Sequence, residues 1–226
     1  MEMSIGSFPS RPSSNDDPQT NGELHLWRWL IEQGRVKSHV VCAGAAWDWG
    51  IIKHLPDNGT TLHLFEPLAK EIDALKLYAS ATVSKTIQAN IRYNICVLGA
   101  ETCLHAFWQI GGTLYQAPGH PSCQVSMKML DEYCSENGIV HIDFLKIDTE
   151  GWELDVLKGA RNILDNCDFI QFEYGGTFQR KGILLKDVYE FLKGWSIFSI
   201  EPGRLNLRPE AVENYAYANF LATKKL

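Results

Sequence analysis

The hydrophobic positions of this chain fall into short, unbroken apolar runs separated by stretches of helical period. "HVVCAGA" (39–45), "TTLHLFEP" (60–67), "IRYNICVLGA" (91–100), "HIDFLKID" (141–148) and "DFIQFEYGG" (168–176) each predict a buried strand. Helices are predicted between them. One is short, near Ile51 to His54, and is ended by Pro56. The others are "LAKEIDALKLYAS" (68–80), "WELDVLKGARNIL" (152–164) with Leu154, Val156, Leu157 and Ile163 inward, and "LKDVYEFLKG" (185–194). Ahead of the first strand, "GELHLWRWLIEQGR" (22–35) predicts an amphipathic helix with Leu24, Trp27, Leu30 and Ile31 on one face, stopped by Gly34. Strands alternating with helices predict an α/β fold: a Rossmann-like, doubly wound, mostly parallel sheet with helices on both faces. "WSIFSIEPG" (195–203) and "YANFLATKK" (217–225) have no helix between them, which predicts an antiparallel C-terminal edge.

Two stretches break the alternation. Residues 5–22 are rich in Ser, Pro, Asn and Asp, so a flexible N-terminal tail is expected over 1–22 and a single domain over 23–226. Between Thr102 and Met129 the pattern lapses into aromatics, paired glycines and prolines. This predicts an insertion near 102–129: a β-hairpin with a loop at Pro118–Pro121 that shapes an acceptor pocket and excludes water.

Composition narrows the function. A formal net charge of −6 argues against broad nucleic-acid or anionic-membrane binding, which needs clustered Lys and Arg. No apolar stretch approaches the roughly 20 residues of a membrane span, and the N-terminus lacks the order of a signal peptide. The six cysteines form no C-x-x-C pair and several sit inside apolar runs, so reduced thiols and a cytoplasmic protein are expected. Oligomeric state is not legible.

Candidate chemistry follows from where acids meet strand ends. In an open parallel sheet, ligands bind beyond the carboxyl ends of the strands, near the reversal of strand order. Asp148 ends a predicted strand, and Glu150 follows two residues later, so extended geometry would aim both at the crevice. Glu150 read structurally is an acid at a helix start, worth roughly 0.3–1 kcal/mol. Glu173 and Tyr174 end the fifth strand, with Glu173 a candidate base or substrate ligand. Gly44 permits a tight turn and close approach of backbone to ligand. The spacing does not fit G-x-G-x-x-G: Ala46 and Trp49 stand at its second and third glycine positions, and an indole there disfavours NAD. Glu66 lies about twenty residues past Gly44, the spacing at which an acid accepts from two ribose hydroxyls. No Cys/His cluster has zinc-ligand spacing, so no metal is expected.

Taken together, "LKIDTEGWELDVLKGA" (145–160) and "FEP" (65–67) resemble the motifs of the FkbM-type family of S-adenosylmethionine-dependent methyltransferases. The resemblance runs from about Val40 to the C-terminus. It implies S-adenosylmethionine as cofactor, held by Gly44, Ala45, Ala46, Asp48, Glu66 and Leu98. It also implies O-methylation of a hydroxyl on a small molecule or sugar, with Asp148, Glu150 and Glu173 as catalytic candidates. The family motif D-x-G-A-N-x-G is altered here: Cys42 takes the place of the acid, Ala46 of the Asn and Asp48 of the later Gly. Asp48 is then either the anion for the donor's amino group or a cap of the following helix. An inactive binding module of the same fold and a nucleotide-dependent oxidoreductase are the alternative readings.

Overall fold

The computed structural model describes residues 2–4, 20–110, 113–116 and 123–225, with side chains described for 20–107 and 123–225. The expected tail from 5 to 19 and the Pro118–Pro121 loop lie outside the described residues. The core strands are β2 (His39–Ala43), β3 (Thr61–Phe65), β4 (Ile91–Asn94), β9 (Ile142–Ile147) and β10 (Cys167–Tyr174). Apart from β4 at the sheet edge, where only Ile91 is buried, their β-branched and aromatic runs are buried on both faces, as parallel strands covered by helices require. With β1 (Glu2–Ser4), β11 (Ser196–Glu201), β12 (Arg204–Leu207) and β13 (Ala218–Thr223) they form a nine-stranded sheet of order β1-β12-β11-β13-β10-β9-β2-β3-β4. The strands from β10 to β4 are parallel, and β13, β11, β12 and β1 extend the sheet antiparallel. The order reverses between β2 and β9: the chain runs outward from β2 to β4 and returns to β9.

Alternation along the strands divides the core in two. Val41, Ala43, Leu145, Ile147, Ile170 and Phe172 join the cluster under α5 (Leu130–Glu136), α6 (Glu153–Gly159) and α8 (Leu185–Phe191). Val40, Cys42, Phe144 and Phe169 point the other way, under α1 (Glu23–Glu32), α2 (Trp49–Lys53) and α3 (Ala69–Thr82). On that second face the apolar side chains give way to polar ones toward the carboxyl ends: Phe144 is followed by Lys146, and Phe169 by Gln171 and Glu173. Cys42, Lys146 and Gln171 are register neighbours across β2, β9 and β10. No helix among the described residues is long and apolar enough to cross a membrane.

Several expectations are corrected. Glu2–Ser4, assigned to the flexible tail, form β1 and pair with β12, a strand the sequence reading missed. The stripe buried by α1 is Leu26, Trp27 and Leu30, with Leu24 and Ile31 only partly covered. The third predicted strand divides: β4 stays beside β3, whereas β5 (Val97–Leu98) leaves for a second sheet of order β5-β8-β6-β7. That sheet contains β6 (Cys103–Ile110), β7 (Thr113–Gln116) and β8 (Cys123–Lys128); the antiparallel hairpin is β6–β7, and not one around the Pro118–Pro121 loop, since β8 pairs with β6 and not with β7. The helix predicted over 152–164 stops at Gly159, and a 3₁₀ turn follows (Ile163–Asn166). The break has a cause: the Asp131 carboxylate accepts from the N–H groups of Asn162 and Ile163, both at 2.9 Å, and so caps a new start.

Candidate functional site

The strand-order reversal places Gly44 and Asp148 side by side. Gly44 has φ 80°, and a Cβ there would lie 1.7 Å from the Asp148 carbonyl oxygen, so only glycine lets the β2 turn pass under the end of β9. The turn is tied down by the N–H groups of Gly44 and Ala45, which donate to Phe65 O at 3.0 and 3.1 Å. Ala45 is thereby directed into the core and is fully buried. It lines neither cavity described below, which corrects its assignment as a cofactor contact.

The segment after β9 departs from the extended path expected of it. Glu150 has φ 58° and Gly151 φ 99°, so the chain turns left-handed before α6. Glu153 holds this turn: its Oε1 accepts from Thr149 N at 2.9 Å, Thr149 Oγ1 at 3.1 Å and Gly151 N at 3.3 Å. The first acid of α6 is thus a clamp on the loop. Its other oxygen is buried without a hydrogen-bond partner. Burial pushes the Glu153 carboxyl up to about 7, against the pull of those N–H donors.

Two cavities meet at this turn. The smaller, about 110 Å³, is walled by Gly44, Ala46, Glu66, Leu68, Leu98 and Phe107. Glu66 is 5% exposed; its Oε1 accepts from Leu68 N at 2.9 Å, and burial raises its carboxyl to about 7. The larger, about 950 Å³, opens on the other side of Asp148, between the strand ends and α1 and α2. Trp47, Asp148 and Glu150 line both. The Trp47 indole is 74% exposed at their junction. Tyr215 and Tyr217 close the far wall of the larger cavity. They stand on a loop held by the Tyr174 hydroxyl, which accepts from the N–H groups of Asn214 and Tyr215 at 3.1 and 2.8 Å. The described part of the insertion reaches the smaller cavity through Phe107 and contributes nothing to the larger.

The floor of the larger cavity is a buried charge cluster that the sequence reading did not assemble. Lys146 Nζ lies 2.9 Å from Asp148 Oδ2, 3.0 Å from Asp48 Oδ1 and 3.9 Å from Glu23 Oε2. Burial alone would favour the neutral amine, but Asp148, Asp48 and Glu23 outweigh it and hold the Lys146 pKa well above its ordinary value. Glu23 also accepts from Gln171 Nε2 at 2.7 Å and Asn219 Nδ2 at 2.9 Å, pinning the start of α1 to β10 and β13. Asp48 is 4% exposed and directed at Lys146, and its Oδ2 is sealed from solvent without a hydrogen-bond partner. Asp48 also lines the larger cavity, and its side chain makes no capping hydrogen bond to α2. Glu173 faces the same cavity, and burial, with Asp148, Glu153 and Glu150 nearby, pushes its carboxyl up to about 9. Burial and Asp148 raise Glu150 as well, partly offset by Arg180. His141 stands away from the site, beside Asp143 and Asp168. All six cysteines are free thiols, as expected.

A doubly wound sheet with two cavities at its reversal point, parted by acidic side chains, is built to hold ligands beyond its strand ends. Comparison with known proteins gives the family. The family model described as the methyltransferase FkbM domain matches residues 46–196, and the chain belongs to that family. A curated relative, the 2-O-methyltransferase NoeI of Sinorhizobium fredii, is 28% identical over 106 residues, which are 42% of this chain and 44% of the relative. The match thus spans under half the length of that relative. Among solved structures, methyltransferase FkbM from Methylobacillus flagellatus KT superposes with a TM-score of 0.55 at 15% identity, covering 88% of this chain and 52% of that one. This likeness shows the fold.

Glu153 generates a pH prediction. A carboxyl raised from the ordinary 4.5 to about 7 on folding contributes stability that is complete below pH 4.5 and is lost as pH rises through 7. The difference corresponds to roughly 3 kcal/mol. Glu153→Gln stays neutral and keeps the accepting oxygen, so urea midpoints between pH 4.5 and 8 are expected to decline less in the variant than in the parent. Parallel curves would remove Glu153 as the source.

Proposed function

We propose that this chain transfers a methyl group from S-adenosylmethionine to a hydroxyl of a sugar or other small molecule held in the larger cavity. The observation that carries the reading is the shared wall: Asp148 and Glu150 stand between a small cavity floored by a buried acid and a large one lined by acids and aromatic rings. The smaller cavity fits the adenosyl half in its chemistry. Glu66 accepts from the two ribose hydroxyls, while Leu68, Leu98 and Phe107 offer apolar cover to a base. When bound, the cofactor supplies a methyl carbon activated on a sulfonium. Gly44 and Ala46 let the backbone approach it. Asp148, fixed from behind by Lys146, orients ligands at the junction.

Glu150 is the group placed to take the acceptor's proton. It stands on the left-handed turn at the mouth of both cavities, and its raised pKa moves its basicity toward the working range. Glu173, deeper in the larger cavity and held largely protonated at neutral pH, donates to an acceptor oxygen. Trp47 and the facing Tyr215 and Tyr217 present apolar ring faces of the kind that pack on a sugar. The Trp49 ring packs at 5.0 Å from Tyr78, where a dinucleotide site would need a small residue, so nothing favours a nicotinamide cofactor. A methyl-release assay over a panel of hydroxylated acceptors tests the activity.

Two sets of variants test the roles. Glu66→Ala is expected to weaken S-adenosylhomocysteine binding by roughly 1.5–3 kcal/mol, the loss of a charged acceptor. Unchanged affinity in a folded Glu66→Ala would reject the ribose assignment. Glu150→Gln is expected to keep donor affinity and lower turnover by roughly a hundredfold or more, with the acid limb of kcat/KM abolished. Asp148→Asn is expected to weaken donor affinity and turnover together. Full turnover in a folded Glu150→Gln would remove it as the base and leave it only a residue of the turn ahead of α6.

A further inference from the structure

The polar row under α1 contains a charge supplied from an unexpected place. Cys42 and Lys146 are register partners on adjacent parallel strands and share one face of the sheet, so a side chain at 42 stands beside the Lys146 stem. Cys42 is fully buried. Burial, with the Asp48 carboxylate alongside, pushes its thiol well above the ordinary range, and it offers Lys146 no charge. The anion comes instead from Asp48, further along the chain. The turn at Gly44 folds the segment back over the end of β2, the Asp48 N–H donates to Ala45 O at 3.0 Å, and Oδ1 comes to 3.0 Å from Lys146 Nζ. Oδ2 is the buried oxygen without a hydrogen-bond partner, and the Cys42 thiol is its neighbour.

We propose that Asp48 is a positioning residue: from the turn, it supplies Lys146 with the counter-ion that strand position 42 is also placed to supply, and so leaves Asp148 free to serve the crevice. Lys146 is shared by three carboxylates, of which only Asp148 lines both cavities. Glu23 is already engaged by Gln171, Asn219 and Asn21. Asp48 therefore decides how far the ammonium draws on Asp148. Its reach into the site runs through Lys146: Oδ1 is turned to the ammonium and Oδ2 is sealed from solvent.

The charge can be moved to test this. Three proteins are compared with the parent: Asp48→Asn, Cys42→Asp, and the double variant carrying both. Melting temperature is read from about pH 5 to pH 8, and S-adenosylhomocysteine affinity at about pH 7.5. Asp48→Asn is expected to lower the melting temperature and to weaken binding by about tenfold or more, because a buried ammonium loses a partner. The double variant, with the carboxylate returned at position 42, is expected to recover affinity to within about threefold of the parent, and most of the melting temperature. Cys42→Asp alone crowds a fourth carboxylate around one ammonium, so its melting temperature is expected to fall more steeply with rising pH than the parent's. A packing role for Asp48 does not give this rescue, since Asp fits the buried Cys42 site no better than cysteine. Parent-like behaviour of Asp48→Asn in both readouts, or no recovery in the double variant, overturns the proposal. If Asp48→Asn fails to fold, recovery of a folded double variant decides the matter in the same way. Only the binding arm rests on the proposed function: a parent that binds no S-adenosylhomocysteine would reject that function, while the melting arm still judges the exchange of charge.

Discussion

One buried ammonium organises this molecule. Lys146 occupies a central strand, where its face of the sheet turns from apolar to polar, and it can stay charged there only because Asp48, Asp148 and Glu23 converge on it. Those three carboxylates belong to the first turn, the strand end and the N-terminal helix. A single cation therefore ties together the parts of the chain that wall the larger cavity. Removing one partner of a buried pair typically costs about 3–5 kcal/mol, while an apolar replacement of the whole set is often neutral. The cluster is thus better understood as fixing geometry than as adding stability. What it fixes is the side chain of Asp148, held from below at the point where the two cavities meet.

The surrounding structure supports the same division of labour. On one side, Glu66 and the apolar side chains of Leu68, Leu98 and Phe107 make a site of nucleoside character. On the other, acids and exposed rings surround a space large enough for a polar acceptor. The left-handed turn at Glu150 and Gly151, clamped by Glu153, sets the junction between them. A transferase needs this separation, because rate comes from holding nucleophile and leaving group in line.

Much of the frame was legible in the sequence. The five core strands and the acids at their ends announce themselves because parallel strands are unbroken apolar runs, and any charge that ends one is conspicuous. Asp148 and Glu66 were found in that way, and both stand at the crevice. Lys146 was not found, although it lies inside one of the same runs; a lysine there looks like noise until the register puts it beside Cys42 and Gln171. Glu23 resembled an ordinary helix-start acid, and its partners Gln171 and Asn219 are distant in sequence. Ala45 and Asp48 are hard to orient from sequence for a related reason: a motif gives the order of residues around a turn, but the left-handed φ of Gly44 decides which of them face the crevice and which face the core. The short strands β1 and β12, at the antiparallel end of the sheet, carry too little pattern to be seen at all.

The most direct test is the affinity of Lys146→Met for S-adenosylhomocysteine, titrated calorimetrically beside the parent at about pH 6, where the acids left without a counter-ion can take up protons and the fold is best preserved. If the buried ammonium positions the crevice, binding falls by about tenfold or more in a protein that remains folded. Binding at the parent's affinity would show that Asp148 and the turn hold their places without it.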